Sequence, residues 1–223
     1  MEDLDISIYT TEAELLEVTV GEISELVDSQ LTSTGKFHLA LTGGTLGNLI
    51  AKELAAEFSQ GDWRGLHIWW SDERFVSLDS PERNDLVFCD AIGSESGVVV
   101  HRANGDGEIE IAAKTLEREI AGINMDLVIL GMGQDGHIAS LFPDAIHADE
   151  TRDVFAITNS PKPPSSRVTF SLKKINSAAA IWLVASGENK ADAVAGLIEQ
   201  EYSLPVSHVN WSRLLVDSAA FGI

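Results

Sequence analysis

Asp135, Gly136 and His137 close the run Gly131-Met132-Gly133-Gln134-Asp135-Gly136-His137. A histidine is the side chain best matched to proton transfer near neutral pH. A carboxylate two residues away can fix its tautomer and stabilise the imidazolium. Positions i and i+2 do not share a face of a regular helix, but a glycine between them lets the chain turn so that the two side chains converge. Taken alone, the triplet reads better as a capping aspartate and an incidental surface histidine. Its place at the end of the apolar run Asp126–Leu130, in a glycine-rich turn, reverses that reading.

A second glycine-rich turn, and the first one again, invite comparison with nucleotide sites. Thr42-Gly43-Gly44-Thr45-Leu46-Gly47-Asn48 follows the apolar run Phe37–Leu41. Such a turn feeding a helix presents backbone N–H groups to an anion, and the helix dipole adds to the attraction; Thr42 and Thr45 add hydroxyls. It lacks the Lys-Ser/Thr of a nucleotide P-loop, which disfavours ATP, and it serves equally well as a tight turn needing glycine for backbone reasons alone. Gly131-x-Gly133-x-x-Gly136 matches the dinucleotide fingerprint literally, with Asp153 at a tolerable distance. Pro143 arrives too soon for the long helix that a dinucleotide fold needs, so NAD is not expected.

Fifteen Lys and Arg face 35 Asp and Glu among the 223 residues, a net charge of −20. Such a chain has no general affinity for nucleic acid or an anionic membrane. To bind a small anion it must gather its few cations locally, and three stand beside the turns already named. Arg74 follows a strand directly in Trp70-Ser71-Asp72-Glu73-Arg74-Phe75-Val76, Arg167 opens a strand after Pro161-Lys162-Pro163-Pro164-Ser165-Ser166, and Lys190 follows Ala185-Ser186-Gly187. Each alone is an ordinary surface charge, and Asp72 and Glu73 are ready salt-bridge partners for Arg74.

The remaining composition is that of a globular protein, 44% hydrophobic and 22% charged. Apolar runs stop well short of the roughly 18 residues that a membrane helix requires. The first 35 residues hold nine carboxylates and no Lys or Arg, so no secretory signal is expected. Cys89 is the single cysteine, which forbids an intrachain disulfide and a cysteine-based zinc site; the cytoplasm is the expected compartment. His38, His67, His101 and His208 lie in or beside strands and read as structural. His147 has no metal partner at ligand spacing, and no metal is expected.

These residues must be carried by alternating strands and helices. Thr11-Glu12-Ala13-Glu14 reads as a capping box opening a helix to about Gln30, with Leu15, Leu16, Ile23, Leu26 and Val27 on its apolar face. Strands are expected at 37–41, 66–70, 98–100, 126–130, 154–158, 167–170, 178–185 and 213–216, and helices at 46–58, 84–91, 109–120 and 188–200. Strands apolar on both faces indicate an α/β chain, a mostly parallel Rossmann-like sheet in a three-layer α/β/α sandwich, as one domain over 1–223. Ligands of open α/β sheets bind beyond the carboxyl ends of the strands, where all the polar motifs fall; the proline-rich stretch reads as a loop beside the site.

Leu41-Thr42-Gly43-Gly44-Thr45, Trp70–Val76, the segment from Gly131 through His137-Ile138-Ala139-Ser140-Leu141-Phe142-Pro143, and Arg167-Val168-Thr169-Phe170 occur in that order. Together they resemble the 6-phosphogluconolactonase family of the pentose phosphate pathway. The resemblance spans about 39–190, and its 131–143 segment is the most specific part. It implies a NagB/RpiA-like fold and hydrolysis of 6-phospho-D-glucono-1,5-lactone to 6-phosphogluconate without a cofactor. It also implies that Gly43, Gly44, Thr45, Arg167 and Lys190 face the 6-phosphate. Thr42 stands where that family commonly has serine, and a hydroxyl is retained. On this chemistry His137 is the base that activates water and Asp135 holds its ring. N–H groups of the Gly131–Gly136 turn, or Arg74, would meet the tetrahedral oxyanion. Glucosamine-6-phosphate deaminase, the alternative, is similar in fold. It usually carries Asp-Glu-Tyr in place of Asp72-Glu73-Arg74, and Phe-Asn-Glu-Pro in place of Ser140-Leu141-Phe142-Pro143, so the deaminase carboxylate near the histidine is missing.

Overall fold

The computed structural model describes residues 5–223. Seven parallel strands form one sheet in the order β1 (Ile6–Tyr9), β10 (Arg213–Asp217), β9 (Ala180–Ala185), β6 (Leu127–Gly131), β2 (Phe37–Leu41), β3 (Leu66–Trp70) and β5 (Val99–Val100). Alternation within the strands divides the core in two. Phe37, Leu39 and Leu41, with Leu66, Ile68 and Trp70, face α1 (Glu12–Thr34), α2 (Gly44–Phe58) and α3 (Leu86–Ala91). Ala40, Trp69, Val128 and Leu130 face the other layer, built from α4 (Ile109–Ile120), α5 (Leu172–Asn176), α6 (Ala191–Ile198) and α7 (Ser218–Phe221). Burial on both faces is why these strands read as continuous apolar runs.

Helix α1 starts as its sequence dictates. The Thr11 hydroxyl accepts from the Glu14 N–H at 3.2 Å, and Glu14 reaches back to the N–H of Thr10 at 2.8 Å. The helix runs past Gln30 to Gly35, whose left-handed backbone (φ 74°) lets its N–H bond Leu31 O. Leu15, Ile23 and Val27 are fully buried.

The structure departs from the expected sheet in one region that matters for the site. Strands β7 (Val154–Ile157) and β8 (Arg167–Phe170) do not extend the parallel sheet. They pair antiparallel with β4 (Asp72–Arg74), a segment that reads as a loop in the sequence, in a separate sheet ordered β4-β8-β7. Burial of Val154, Phe155, Val168 and Phe170 in the second core holds this small sheet in place. The strand β1 and the short helices α5 and α7 carry too few residues to announce themselves by period, and Glu188–Lys190 is a 3₁₀ turn ahead of α6.

The chain order places the ligand crevice. From β2 it moves outward through α2 to β3 and β5, then returns through α4 to β6 on the opposite side of β2, and continues to β9 and β10. Connections diverge between β2 and β6, and at such a point a crevice opens beyond the strand ends.

Candidate active site

A cleft of about 510 Å³ occupies that position, lined at the ends of β2, β6 and β9 and by the small sheet. Thr42, Gly43, Gly44, Thr45, Arg74, His137, Arg167 and Lys190 all line it, and Asp135 stands behind His137.

The glycine turn brings Asp135 and His137 together. Gly136 adopts φ 71°, its N–H bonds Gly133 O at 3.0 Å, and Gly133 N–H bonds His137 O at 2.8 Å. Within this closed turn Asp135 Oδ1 lies against His137 Nδ1 in a short hydrogen bond. Nδ1 therefore carries the proton, and Nε2 is left with a lone pair for the cleft. Phe142 stacks on the imidazole with centroids 4.7 Å apart. Burial lowers the imidazole below its ordinary pKa; the hydrogen bond and charge of Asp135 pull it up, and Lys162 pushes it down again. Burial pushes the Asp135 carboxyl up, but His137 and Lys162 outweigh it and hold it below its ordinary value.

Only part of the glycine turn is open to an oxyanion, since three of its N–H groups are committed while those of Met132, Gln134 and Asp135 have no hydrogen-bond partner among the described residues. Gly131 N–H is committed to Thr42 Oγ1 at 3.2 Å, Gly133 N–H to His137 O, and Gly136 N–H to Gly133 O. Those bonds shape the turn and tie the ends of β2 and β6 together. Arg74 differs: one Nη1 bond goes to Glu82 O at 2.5 Å, while Nη2 has no protein partner among the described residues.

At the start of α2, Gly43 provides no side-chain cap. The first-turn N–H groups therefore remain available to an anion, with Thr45 exposed beside them. Gly43 must be glycine because Asn84 packs against it: a Cβ there would stand 2.6 Å from Asn84 Nδ2.

The cations gather as the net charge requires. Arg74, Lys162, Arg167 and Lys190 line the cleft, against Glu12 and Asp72. The antiparallel register sets Arg74 directly opposite Arg167, a like-charge pair that costs stability unless an anion lies nearby. Burial and Arg74 lower the Arg167 pKa. Arg167 is nonetheless less free than its sequence position suggests. Nε bonds Pro164 O at 2.9 Å, Nη2 bonds the carbonyls of Lys162 (3.2 Å) and Pro163 (3.1 Å), and only Nη1 turns toward Asp72 at 3.5 Å. Its fork holds the proline-rich loop rather than standing open. The Lys190 ammonium has no hydrogen-bond partner among the described residues; burial and the nearby Lys162 lower its pKa.

Neither Asp72 nor Glu73 pairs with the Arg74 side chain. Asp72 accepts from Ser140 Oγ at 2.5 Å and faces Arg167. Glu73 is buried beneath the site, where its carboxylate accepts the N–H groups of Arg74 (2.7 Å), Asn84 (2.8 Å) and Asp85 (2.9 Å). Burial and Asp85 push its pKa up to about 7, against Arg83 and those N–H donors.

Reading the sequence missed Lys162 and Asn84 as site residues. Lys162 had one signal, as the only cation in the proline-rich stretch. Asn84 had none, since only the folding of its turn onto β4 brings it to Gly43. His38, His67 and His101 are structural, stacked beneath the strands at centroid separations of 4.5 and 5.3 Å. Among the described residues no group of three or more His, Cys, Asp or Glu could hold a metal, and no helix is long and apolar enough to cross a membrane.

Fold and cleft together define an α/β protein with a cation-lined cleft beside an Asp–His pair. A family model described as glucosamine-6-phosphate isomerases/6-phosphogluconolactonase matches residues 10–216, and the chain belongs to that family. It is 34% identical to the 6-phosphogluconolactonase of Mycobacterium leprae over 207 residues, 85% of this chain and 84% of that one. It is 37% identical to that of Streptomyces coelicolor over 194 residues, covering 78% and 74%. Among solved structures, 6-phosphogluconolactonase from Thermotoga maritima superposes with a TM-score of 0.83 at 26% identity, covering 96% and 98%. A monomeric glucosamine-6-phosphate deaminase of the NagB superfamily superposes with a TM-score of 0.81 at 19% identity, covering 98% and 99%, a likeness of fold alone.

Proposed function

We propose that the cleft hydrolyses 6-phospho-D-glucono-1,5-lactone to 6-phospho-D-gluconate, with His137 as the base that activates water. The observation that carries this reading is the Asp135–His137 pair with the Phe142 ring stacked on it. A deaminase has a glutamate in the place of Phe142, and here an aromatic ring covers the imidazole instead.

A δ-lactone is an activated ester and needs no covalent nucleophile. His137 Nε2 takes a proton from water as its oxygen attacks C1. The imidazolium is held by the Asp135 carboxylate, and charge develops on the carbonyl oxygen. Arg74 Nη2, which has no protein partner among the described residues, is the donor assigned to that charge, with the unpaired N–H groups of Met132, Gln134 and Asp135 as the turn's own candidates. Collapse of the intermediate breaks the bond from C1 to the ring oxygen, which takes the proton back from His137. The new carboxylic acid then ionises. The 6-phosphate binds on the N–H groups of Gly44 and Thr45, the Thr45 hydroxyl and the Lys190 ammonium, with Thr42 and Gly43 shaping the turn. Arg167 contributes one N–H arm and its charge.

Acid release from freshly generated lactone, followed by pH-stat, tests the activity. His137→Ala should lower kcat/KM by about 10²- to 10⁴-fold, the range of general base catalysis, with the fold unchanged by circular dichroism. Glucosamine 6-phosphate in a parallel ammonia assay should give no product. Ammonia release, or a fully active His137→Ala protein, overturns the reading.

A further inference from the structure

The mechanism above leaves one charge beside the base without a task. Lys162 Nζ lies 3.2 Å from His137 Nδ1 and 3.7 Å from Asp135 Oδ1, and 5.9 Å above the centre of the Phe142 ring. An ammonium cannot donate to an Nδ1 that already carries a proton, so this approach is electrostatic. It is also a built approach: the carbonyls of Lys162, Pro163 and Pro164 all accept from the buried Arg167 guanidinium, which fixes the backbone from which Lys162 reaches the imidazole.

A carboxylate in contact with a histidine favours the imidazolium. An Asp–His pair left to itself is therefore biased toward protonation near neutral pH, which removes the base before the reaction begins. The other charged groups around the ring come from separate elements. Asp72 of β4 also favours the imidazolium, but it is engaged by Arg167 and Ser140. Lys190, ahead of α6, is near enough to Lys162 and Asp135 to interact with both. Arg74 of β4 also lines the cleft. Lys162 is the cation in direct contact with both members of the pair.

We propose that Lys162 is a positioning residue whose ammonium offsets the Asp135 carboxylate, so that Asp135 orients the His137 ring without protonating it and the lactone meets a neutral base. This deepens the lactonase reading and rests on it. Asp135 sets geometry and tautomer, Lys162 sets the protonation state, and Arg167 acts on both through the loop.

The experiment compares Lys162→Gln and Lys162→Arg with the parent protein. His137 is first titrated by NMR through its ring Cε1–H in the free protein. Lys162→Gln should move its midpoint up by about one pH unit, a tenfold change in proton affinity, and Lys162→Arg should restore it. The kcat/KM profile between pH 5 and 8 should show the same displacement of its acid limb for both phosphorylated and unphosphorylated gluconolactone. An unmoved His137 midpoint in Lys162→Gln overturns the proposal. So does an acid limb that stays in place while KM rises for the phosphorylated lactone alone, because Lys162 would then be a phosphate ligand. The NMR titration does not depend on turnover, so absence of lactonase activity in the parent protein refutes the lactonase reading and leaves the charge assignment to be decided by the midpoints.

Discussion

Gly133 is the position where a single methyl group tests the geometry of the base. Its backbone is outside the left-handed region, so alanine is conformationally acceptable there. The obstacle is space: a Cβ on residue 133 would overlap the Nδ1 and Cε1 atoms of His137 and Oδ1 of Asp135 outright. Ordinary carbon contacts need about 3.5 Å or more, so ring and carboxylate must withdraw by more than about 1 Å. A misplacement of about 1 Å at a reacting centre can cost about 10²-fold, and complete loss of the base costs up to about 10⁴-fold. Gly133→Ala is therefore expected to lower kcat/KM for 6-phosphogluconolactone by about 10²-fold or more in the pH-stat assay. Gly21→Ala is the matched control. Gly21 lies in α1, where an added Cβ meets nothing within 4 Å. That change should stabilise the protein by about 0.5–1 kcal/mol, raise Tm by a few degrees and leave kcat/KM alone. Parent-level activity in Gly133→Ala would refute the claim that the imidazole works from its position against Asp135.

Lys190→Ala should weaken kcat/KM for the phosphorylated lactone by about 10- to 150-fold, since a charge-assisted hydrogen bond contributes about 1.5–3 kcal/mol. Hydrolysis of unphosphorylated gluconolactone should be unaffected, and an equal loss on both substrates would remove Lys190 from the phosphate wall. Arg167→Ala should instead lower kcat on both, because its guanidinium holds the Lys162 loop; a loss confined to the phosphorylated lactone would restore Arg167 as a phosphate fork. Exhaustive EDTA treatment should leave the rate unchanged, whereas loss of activity restored by zinc would show a metal ion in the chemistry. His38 is buried, accepts from Trp69 Nε1 at 3.1 Å, and has its pKa lowered from 6.5 to about 4, first by burial and then by His67. The unfolded chain binds the proton more tightly, so this stabilisation is present above pH 6.5 and is lost as pH falls toward 4. The loss is at most about 3.5 kcal/mol, at about 1.4 kcal/mol per unit. Urea midpoints across that range should fall less steeply for His38→Gln, whose amide oxygen still accepts from Trp69; parallel slopes would refute the assignment.

What the sequence by itself determined was the local grammar. Apolar runs buried on both faces have no polar alternation and specify parallel strands. Thr11 with Glu14 starts α1, although only the fold sets its end at Gly35, beyond Gln30, and each glycine turn follows a strand, so the motifs had to gather at one edge of the sheet. Asp135-Gly136-His137 was legible because its geometry is closed within a few residues by its own hydrogen bonds. Tertiary structure decided whatever depended on distant partners. Asp72–Arg74 reads as a loop until Arg167–Phe170 pairs with it, since three residues carry no periodic signal. Arg167 reads as a free fork until the carbonyls of residues 162–164 fold over it, and the N–H groups of Gly131, Gly133 and Gly136 read as free until Thr42 and the backbone of the turn take them. Lys162 and Asn84 enter the site only through loops that other elements hold in place. Such contacts are set by packing across long sequence separations, and no spacing rule along the chain records them.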